Sequence, residues 1–302
     1  MGGDVNDAQP PSSLGPIGRG RWLVLAAAVL WSSSGFFAKA PLWENWPREH
    51  RGTSLAFWRA LFAALALVPF IRKPCWSWGL LPAGICFAIM NGTFLHAMTL
   101  TTEANALWLQ YTCPLWVYLI GVYGFREHVH PRDKGMVFGV LAGVLFILVA
   151  EWLRSDLSPE SFRGSLWGVA AGAALAGVML SLKHMPALDP VWVVAFCHAV
   201  AALAMLPFVW QSQTRPELWQ IPWLAAFGAI QMALPYILFY RGIRLLPAHE
   251  ASCLALLEPL LVSLWVYLAW GSRPDYVAPG WGTWVGGGLI LSGLLWRYAG
   301  RR

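Results

Sequence analysis

Apolar residues run along this chain in ten blocks, each closed by a charge, a proline or a glycine. The blocks fall near residues 21–40, 53–71, 79–101, 104–124, 133–151, 163–183, 190–210, 220–241, 249–270 and 279–298. Each is long enough, at about 20 residues, to cross the hydrocarbon core of a bilayer as an α-helix. The pattern therefore predicts an all-α integral membrane protein of ten transmembrane helices. The third and eighth blocks are the least uniform, interrupted by Asn91-Gly92 and by Gln231.

The blocks repeat. Ala63-Ala64-Leu65-Ala66 with Pro69-Phe70 recurs as Ala201-Ala202-Leu203-Ala204 with Pro207-Phe208. Arg19-Gly20 and Lys39 recur as Arg163-Gly164 and Lys183, and Pro114 in the fourth block has its counterpart in Pro259 of the ninth. Three matches in the same order at nearly constant offset divide the chain into a tail (1–18), a first five-helix repeat (19–152) and a second (153–302). An odd number of helices per repeat makes the second copy enter the membrane from the opposite side. Inverted repeats of this kind place a substrate site between the halves, near the bilayer midplane.

Composition agrees with the pattern. Of 302 residues, 58% are hydrophobic and 12% charged, against about 25% charged in a soluble domain; mean hydropathy is +0.54. The net charge of +6 forms no basic face, because the cations stand singly or in pairs between apolar blocks; nucleic acid is not an expected partner, whereas the lipid bilayer is. With both termini on one side, thirteen cations fall on that side: Arg19, Arg21, Arg72, Lys73, Arg126, Arg132, Lys134, Lys183, Arg241, Arg244, Arg297, Arg301 and Arg302. Six fall opposite: Arg48, Arg51, Arg154, Arg163, Arg215 and Arg273. Lys39 and Arg59, inside helices, do not enter this comparison. The positive-inside bias puts both termini in the cytoplasm. Arg19, Arg21 and the apolar run ending at Ala38-Lys39-Ala40 imitate a signal peptide, but the run is long for one and Pro41 would follow the cut. A retained first helix is expected, preceded by a disordered tail rich in proline, serine and glycine. The five cysteines have neither disulfide nor metal spacing.

Chemistry-bearing residues within the blocks are few. A helix-interior proline frees the carbonyl four residues earlier, so Pro114 exposes that of Gln110 and Pro259 that of Ala255. Such bends face protein or a water-filled cavity, which predicts two symmetric bends lining a pore. Glu258 is the acid clearly in mid-helix, and intramembrane acids are functional candidates by default. It either pairs a substrate ammonium or carries a proton, or it is satisfied structurally by a neighbouring helix. His96, Trp108, Gln110, Tyr111, Asn91 and Tyr236 complete the polar-aromatic set, with Trp108 and Tyr111 three apart on one helix face. His96, Trp108, Gln110, Tyr111, Tyr236 and Glu258 are the expected substrate contacts. Most of the 20 tryptophans, including Trp43, Trp46, Trp76, Trp78 and Trp219, are expected in interfacial belts. Lys39 and Lys183, at helix ends, are expected to snorkel to the interface. The rows Gly135/Gly139/Gly143, Gly168/Gly172 and Gly282/Gly286 permit close helix packing. Hydrolase, metalloprotease, Walker and dinucleotide signatures are absent from the sequence, so neither an enzyme nor a cofactor nor a metal site is expected.

Trp31-Ser32 and Lys39 in the first helix, mid-helix Pro114 and Pro259, and Leu257-Glu258-Pro259 resemble the EamA-type carriers of the drug/metabolite transporter superfamily over residues 20–300. Gln110-Tyr111-x-x-Pro114 is further similar to the fourth helix of bacterial aromatic amino-acid exporters. Leu175 stands where those exporters carry a tryptophan, and Gly271-Ser272-Arg273 replaces the usual acid after the ninth helix, while Glu127 occupies its first-repeat equivalent. The resemblance implies gradient-driven export of amino acids or related small metabolites across the bacterial inner membrane, by alternating access of the two halves. Efflux of drugs or organic cations is the alternative within the class; a membrane-embedded enzyme or scaffold is the alternative outside it.

Overall fold

A computed structural model of the chain describes residues 15–126, 131–153, 159–212 and 214–298. Every regular element among the described residues is helical, and none is a strand. Helix α1 (Pro16–Ser32) opens with proline in its first turn, where the missing donor costs nothing. It thus begins inside the segment read from sequence as a tail. After a break at Ser33, α2 (Ser34–Ala38) continues it. The hydroxyls of Ser32 and Ser33 donate to the carbonyls of Val29 and Leu30 at 2.7 and 2.6 Å, a back-bonding that bends helices.

Then follow α3 (Arg48–Leu67), α4 (Leu80–Leu100), α5 (Glu103–Gln110), α6 (Cys113–Tyr123) and α7 (Pro131–Leu153). The second half holds α8 (Pro159–Lys183), α9 (Pro190–Ser212), α10 (Ile221–Gly228), a π-helical turn Ala229–Ala233, α11 (Leu234–Ile243), α12 (Ala248–Ala255), α13 (Glu258–Trp270) and α14 (Trp281–Tyr298). Among the described residues seven spans are long and apolar enough to cross a membrane, and α13 is a shorter apolar helix. The polar Asn91-Gly92 in the third block does not break its helix: α4 runs through it, as the predicted helix over 79–101 requires. Asn91 keeps the helix by sending its side chain across to the Ala56 carbonyl of α3 at 2.9 Å. At Gln231 the irregularity is real and takes the form of the π turn.

The bundle is held by α4 against α8 and α9, α3 against α9 and α10, α7 against α14, and α1 against α11, α12 and α13. In the α7–α14 pair the glycine rows face each other. A Cβ on Gly139 would stand 2.8 Å from the Gly293 Cα, and one on Gly143 would meet the Gly286 carbonyl. Large apolar side chains such as Phe138, Leu145, Trp152, Leu203, Phe208 and Trp210 point outward, as expected where lipid is the solvent.

Trp76, Trp78 and Trp219 are exposed, but Trp43 and Trp46 are buried. The correction has a polar cause: the Trp43 indole donates to the Phe37 carbonyl at 2.7 Å and so fastens the loop after α2 into the core. At the other end of the bundle Asp189 caps α9, accepting from the amides of Val191, Arg72 and Lys73 at 3.1, 2.9 and 3.3 Å. Partial burial would raise its carboxyl, but backbone N–H donors outweigh that and hold it below the ordinary range.

Candidate functional site

The two mid-block prolines break their helices in the same way. Each sits in the first turn of a restarted helix, α6 or α13. Thr112 and Leu257, two residues before the prolines, donate their amides to Leu109 and Leu254. The carbonyls of Thr112 and Leu257 then accept from the two residues after each proline. The carbonyl expected to be freed by Pro259, that of Ala255, lies 3.2 Å from the Tyr111 hydroxyl, which is also 3.2 Å from Glu258 Oε2. Tyr111 thus joins the two broken helices by donating to one or the other acceptor. The Gln110 carbonyl lies against Gly172, where a Cβ would come within 2.9 Å of it. The Gln110 side chain turns to the Met90 sulfur on α4, 3.2 Å away.

A second polar group sits across the bundle. Arg59, in the middle of α3, is 1% exposed. Its guanidinium lies 5.7 Å from the ring centre of Phe94 and 5.3 Å from that of Phe227. One terminal nitrogen donates to Asn91 Oδ1, and Nε is buried without a partner. Among the described residues no carboxylate lies within ion-pair distance of it. Nearby, Tyr236 meets Trp31 edge-on at 5.2 Å and His198 at 6.2 Å. His198 is fully buried with neither ring nitrogen bonded, and Gln231, which donates to the Trp31 carbonyl at 3.1 Å, leaves Oε1 unpartnered. Asn91 holds the buried cation, while Tyr236, His198 and Gln231 gather beside Trp31 with more polar capacity than the fold satisfies.

The expected residues divide accordingly. Tyr111, Glu258 and Ala255 meet at the helix breaks, and Tyr236 belongs to the group around Arg59. Trp108 does not face open space: it is 1% exposed, packed among α5, α7 and α14, with Gly287 so close that a Cβ there would lie 2.5 Å from the indole. His96 is half-buried between α3 and α8, against Gly52 and edge-on to Trp167 at 5.6 Å. Five residues beyond Asn91, it points about 140° around α4 from the face that meets Arg59. Lys39 does not snorkel outward; its ammonium donates to the Thr101 carbonyl at 2.6 Å. Glu127 lies outside the described residues. Arg59 was missed although its signal was present, a lone cation inside an apolar block. Among the described residues no cluster of histidine, cysteine or acid could hold a metal ion.

The model of the EamA-like transporter family matches twice, over residues 18–149 and 162–298. An uncharacterized transporter of Archaeoglobus fulgidus is 26% identical over 252 residues, 81% of this chain and 86% of its own length. Uncharacterized transporter YwfM of Bacillus subtilis is 28% identical, covering 90% and 91% of the two chains. Uncharacterized inner membrane transporter YicL of Salmonella typhimurium is 27% identical, covering 93% and 96%. A protein of known crystal structure superposes with a TM-score of 0.61 at 18% identity, covering 94% of this chain and 98% of the other, a likeness of fold.

Proposed function

The chain belongs to the EamA-like transporter family and is a multi-pass membrane transporter; from that premise we propose that it exports amino acids or closely related metabolites, driven by gradients, through alternating access of two inverted five-helix repeats. It would act in the bacterial inner membrane with both termini cytoplasmic. The repeat is supported by the double family match and by the identical bonding at Pro114 and Pro259. It is supported too by contacts that come in exchanged pairs: α4 on α8 mirrors α11 on α1, and α4 on α9 mirrors α10 on α3.

One observation carries the substrate class. Arg59, buried, and Glu258, half-buried, are groups of opposite sign inside the bundle, and no ion pair joins them. Opposite charges left without an ion pair in lipid are costly; a molecule bearing both a carboxylate and an ammonium would satisfy them together. The carboxylate would go to Arg59 and the ammonium to Glu258, with Phe94, Phe227, Trp31 and Tyr236 beside the side chain. An organic cation would suit those aromatic faces but would have to bind beside Arg59, which disfavours the drug-efflux reading.

Counterflow in proteoliposomes tests this. Labelled L-phenylalanine should exchange in a saturable way, suppressed by unlabelled amino acid and not by phenethylamine. Absence of counterflow for every proteinogenic amino acid would overturn the proposal.

A further inference from the structure

At the end of the bundle opposite the start of α1, a cavity of ≈ 390 Å³ opens between the end of α2, the start of α3, the α4–α5 corner and the segment after α13. That volume falls at the low end of small-molecule sites. Its wall carries four cations, Lys39, Arg48, Arg51 and Arg273, and four acids, Glu44, Glu103, Glu160 and Asp275, so it has no net preference for an anion or a cation. Several of the rim charges are already engaged. Arg273 pairs with Glu44 and with Asp275, and Arg51 donates to the carbonyls of Glu44 and Trp46 at 3.3 and 3.1 Å.

The floor differs. Lys39 gives one ammonium proton to the Thr101 carbonyl and has two more to offer. Glu103, 1% exposed, keeps Oε1 buried with no hydrogen-bond partner. Both groups line the cavity, and no ion pair joins them. A separated positive and negative group at the bottom of a small, otherwise neutralised cavity matches a zwitterion.

We propose that this cavity is a second binding site, an antechamber for zwitterionic amino acids, in which Lys39 takes the carboxylate and Glu103 the ammonium. The inference rests on the amino-acid reading of the central site. An aromatic plug lies between the two. Phe36 stacks on Trp270 at 5.4 Å, Phe37 stacks on Phe227 at 5.1 Å, and Phe227 is itself a wall of the Arg59 site. Substrate leaving the central site would pass the plug and be held once more before release.

The test uses the full-length protein with Val277→Cys at the cavity mouth, labelled by a small water-soluble maleimide and read peptide by peptide so that native Cys75 does not interfere. L-phenylalanine at about four times its dissociation constant should slow labelling about fivefold by occupancy alone. Phenethylamine and 3-phenylpropionate, each lacking one charge, should leave the rate unchanged, and Lys39→Met should abolish the protection by L-phenylalanine. The same preparation is assayed for counterflow. Counterflow without protection, equal protection by either single-charge analogue, or protection that survives Lys39→Met overturns the antechamber while the transport reading stands. Protection without counterflow keeps the antechamber and overturns the transport reading; absence of both overturns the two together.

Discussion

A guanidinium between two phenylalanines makes the sharpest demand on a single residue in this molecule. Arg59→Met keeps the apolar stem against Phe94 and Phe227 but removes the charge. Hydrogen bonds to charged groups are worth about 1.5–3 kcal/mol, so L-phenylalanine counterflow should fall roughly ten- to a hundredfold, while the protein stays folded with melting lowered by no more than the unpartnered Asn91 oxygen costs, about 1–3 kcal/mol. The variant should also lose its discrimination against phenethylamine, because the repelling cation is gone. Unchanged counterflow would remove Arg59 from the substrate path. Trp108 belongs to a different account. With Gly287 pressed against its indole, Gly287→Ala overpacks the contact and should cost about 1–3 kcal/mol, seen as a lower melting temperature with the substrate dependence of transport unaltered. From sequence the spacing of Trp108 and Tyr111 was legible as one helix face, and the ring centroids are 6.3 Å apart. The partner of that face was not legible, because periodicity says which residues turn together and nothing about which helix meets them. Arg59 stood in the sequence as an anomaly, yet its aromatic neighbours, one on α4 and one on α10, are set by tertiary packing alone.

At the scale of elements, the two proline breaks were the most legible feature, since a missing N–H has a fixed consequence four residues upstream. The structure adds what accepts that consequence: the Tyr111 hydroxyl crosses from the fourth block to the Ala255 carbonyl of the ninth. Pro259→Ala would return an amide to that carbonyl and set the backbone competing with Tyr111. We expect a straighter, more stable α12–α13 segment, a higher melting temperature and slower transport, because the break is where Tyr111 is bonded to the Ala255 carbonyl and Glu258. Tyr111→Phe should act in the opposite sense on stability, lowering it by about 1–3 kcal/mol for an acceptor left without its donor, and should also slow counterflow. If Pro259→Ala transports at the parent rate, the breaks are packing features only. The irregularity at Gln231 was visible as a polar residue in an apolar block, but its π form depends on Gln231 reaching the Trp31 carbonyl across the bundle, which a one-dimensional pattern does not contain.

The whole molecule is governed by topology, and here the charge pattern and the contact pattern lead to one experiment. If each half holds five crossings, the segment joining α3 to α4 lies on the side of both termini, and the segment joining α9 to α10 lies opposite. The cation bias assigns the first side to the cytoplasm, and the fold supplies probes on both. Cys75 is a native, exposed thiol between α3 and α4, Gly15 is exposed just before α1, and Arg215 lies just before the short helical turn leading into α10. In right-side-out vesicles, an impermeant maleimide should label Arg215→Cys in a Cys75→Ser background and leave both Cys75 and Gly15→Cys untouched; inside-out vesicles should give the reverse. The expectation follows from parity more than from charge, since any even number of crossings returns the chain to its starting side and any five-helix unit does not. Labelling of Cys75 and Arg215→Cys from one side would leave an even number of crossings between them, and labelling of Gly15→Cys apart from Cys75 an odd number before α4. Either result would break the pairing of α4–α8 with α11–α1 as inverted copies, and with it the central site between the halves.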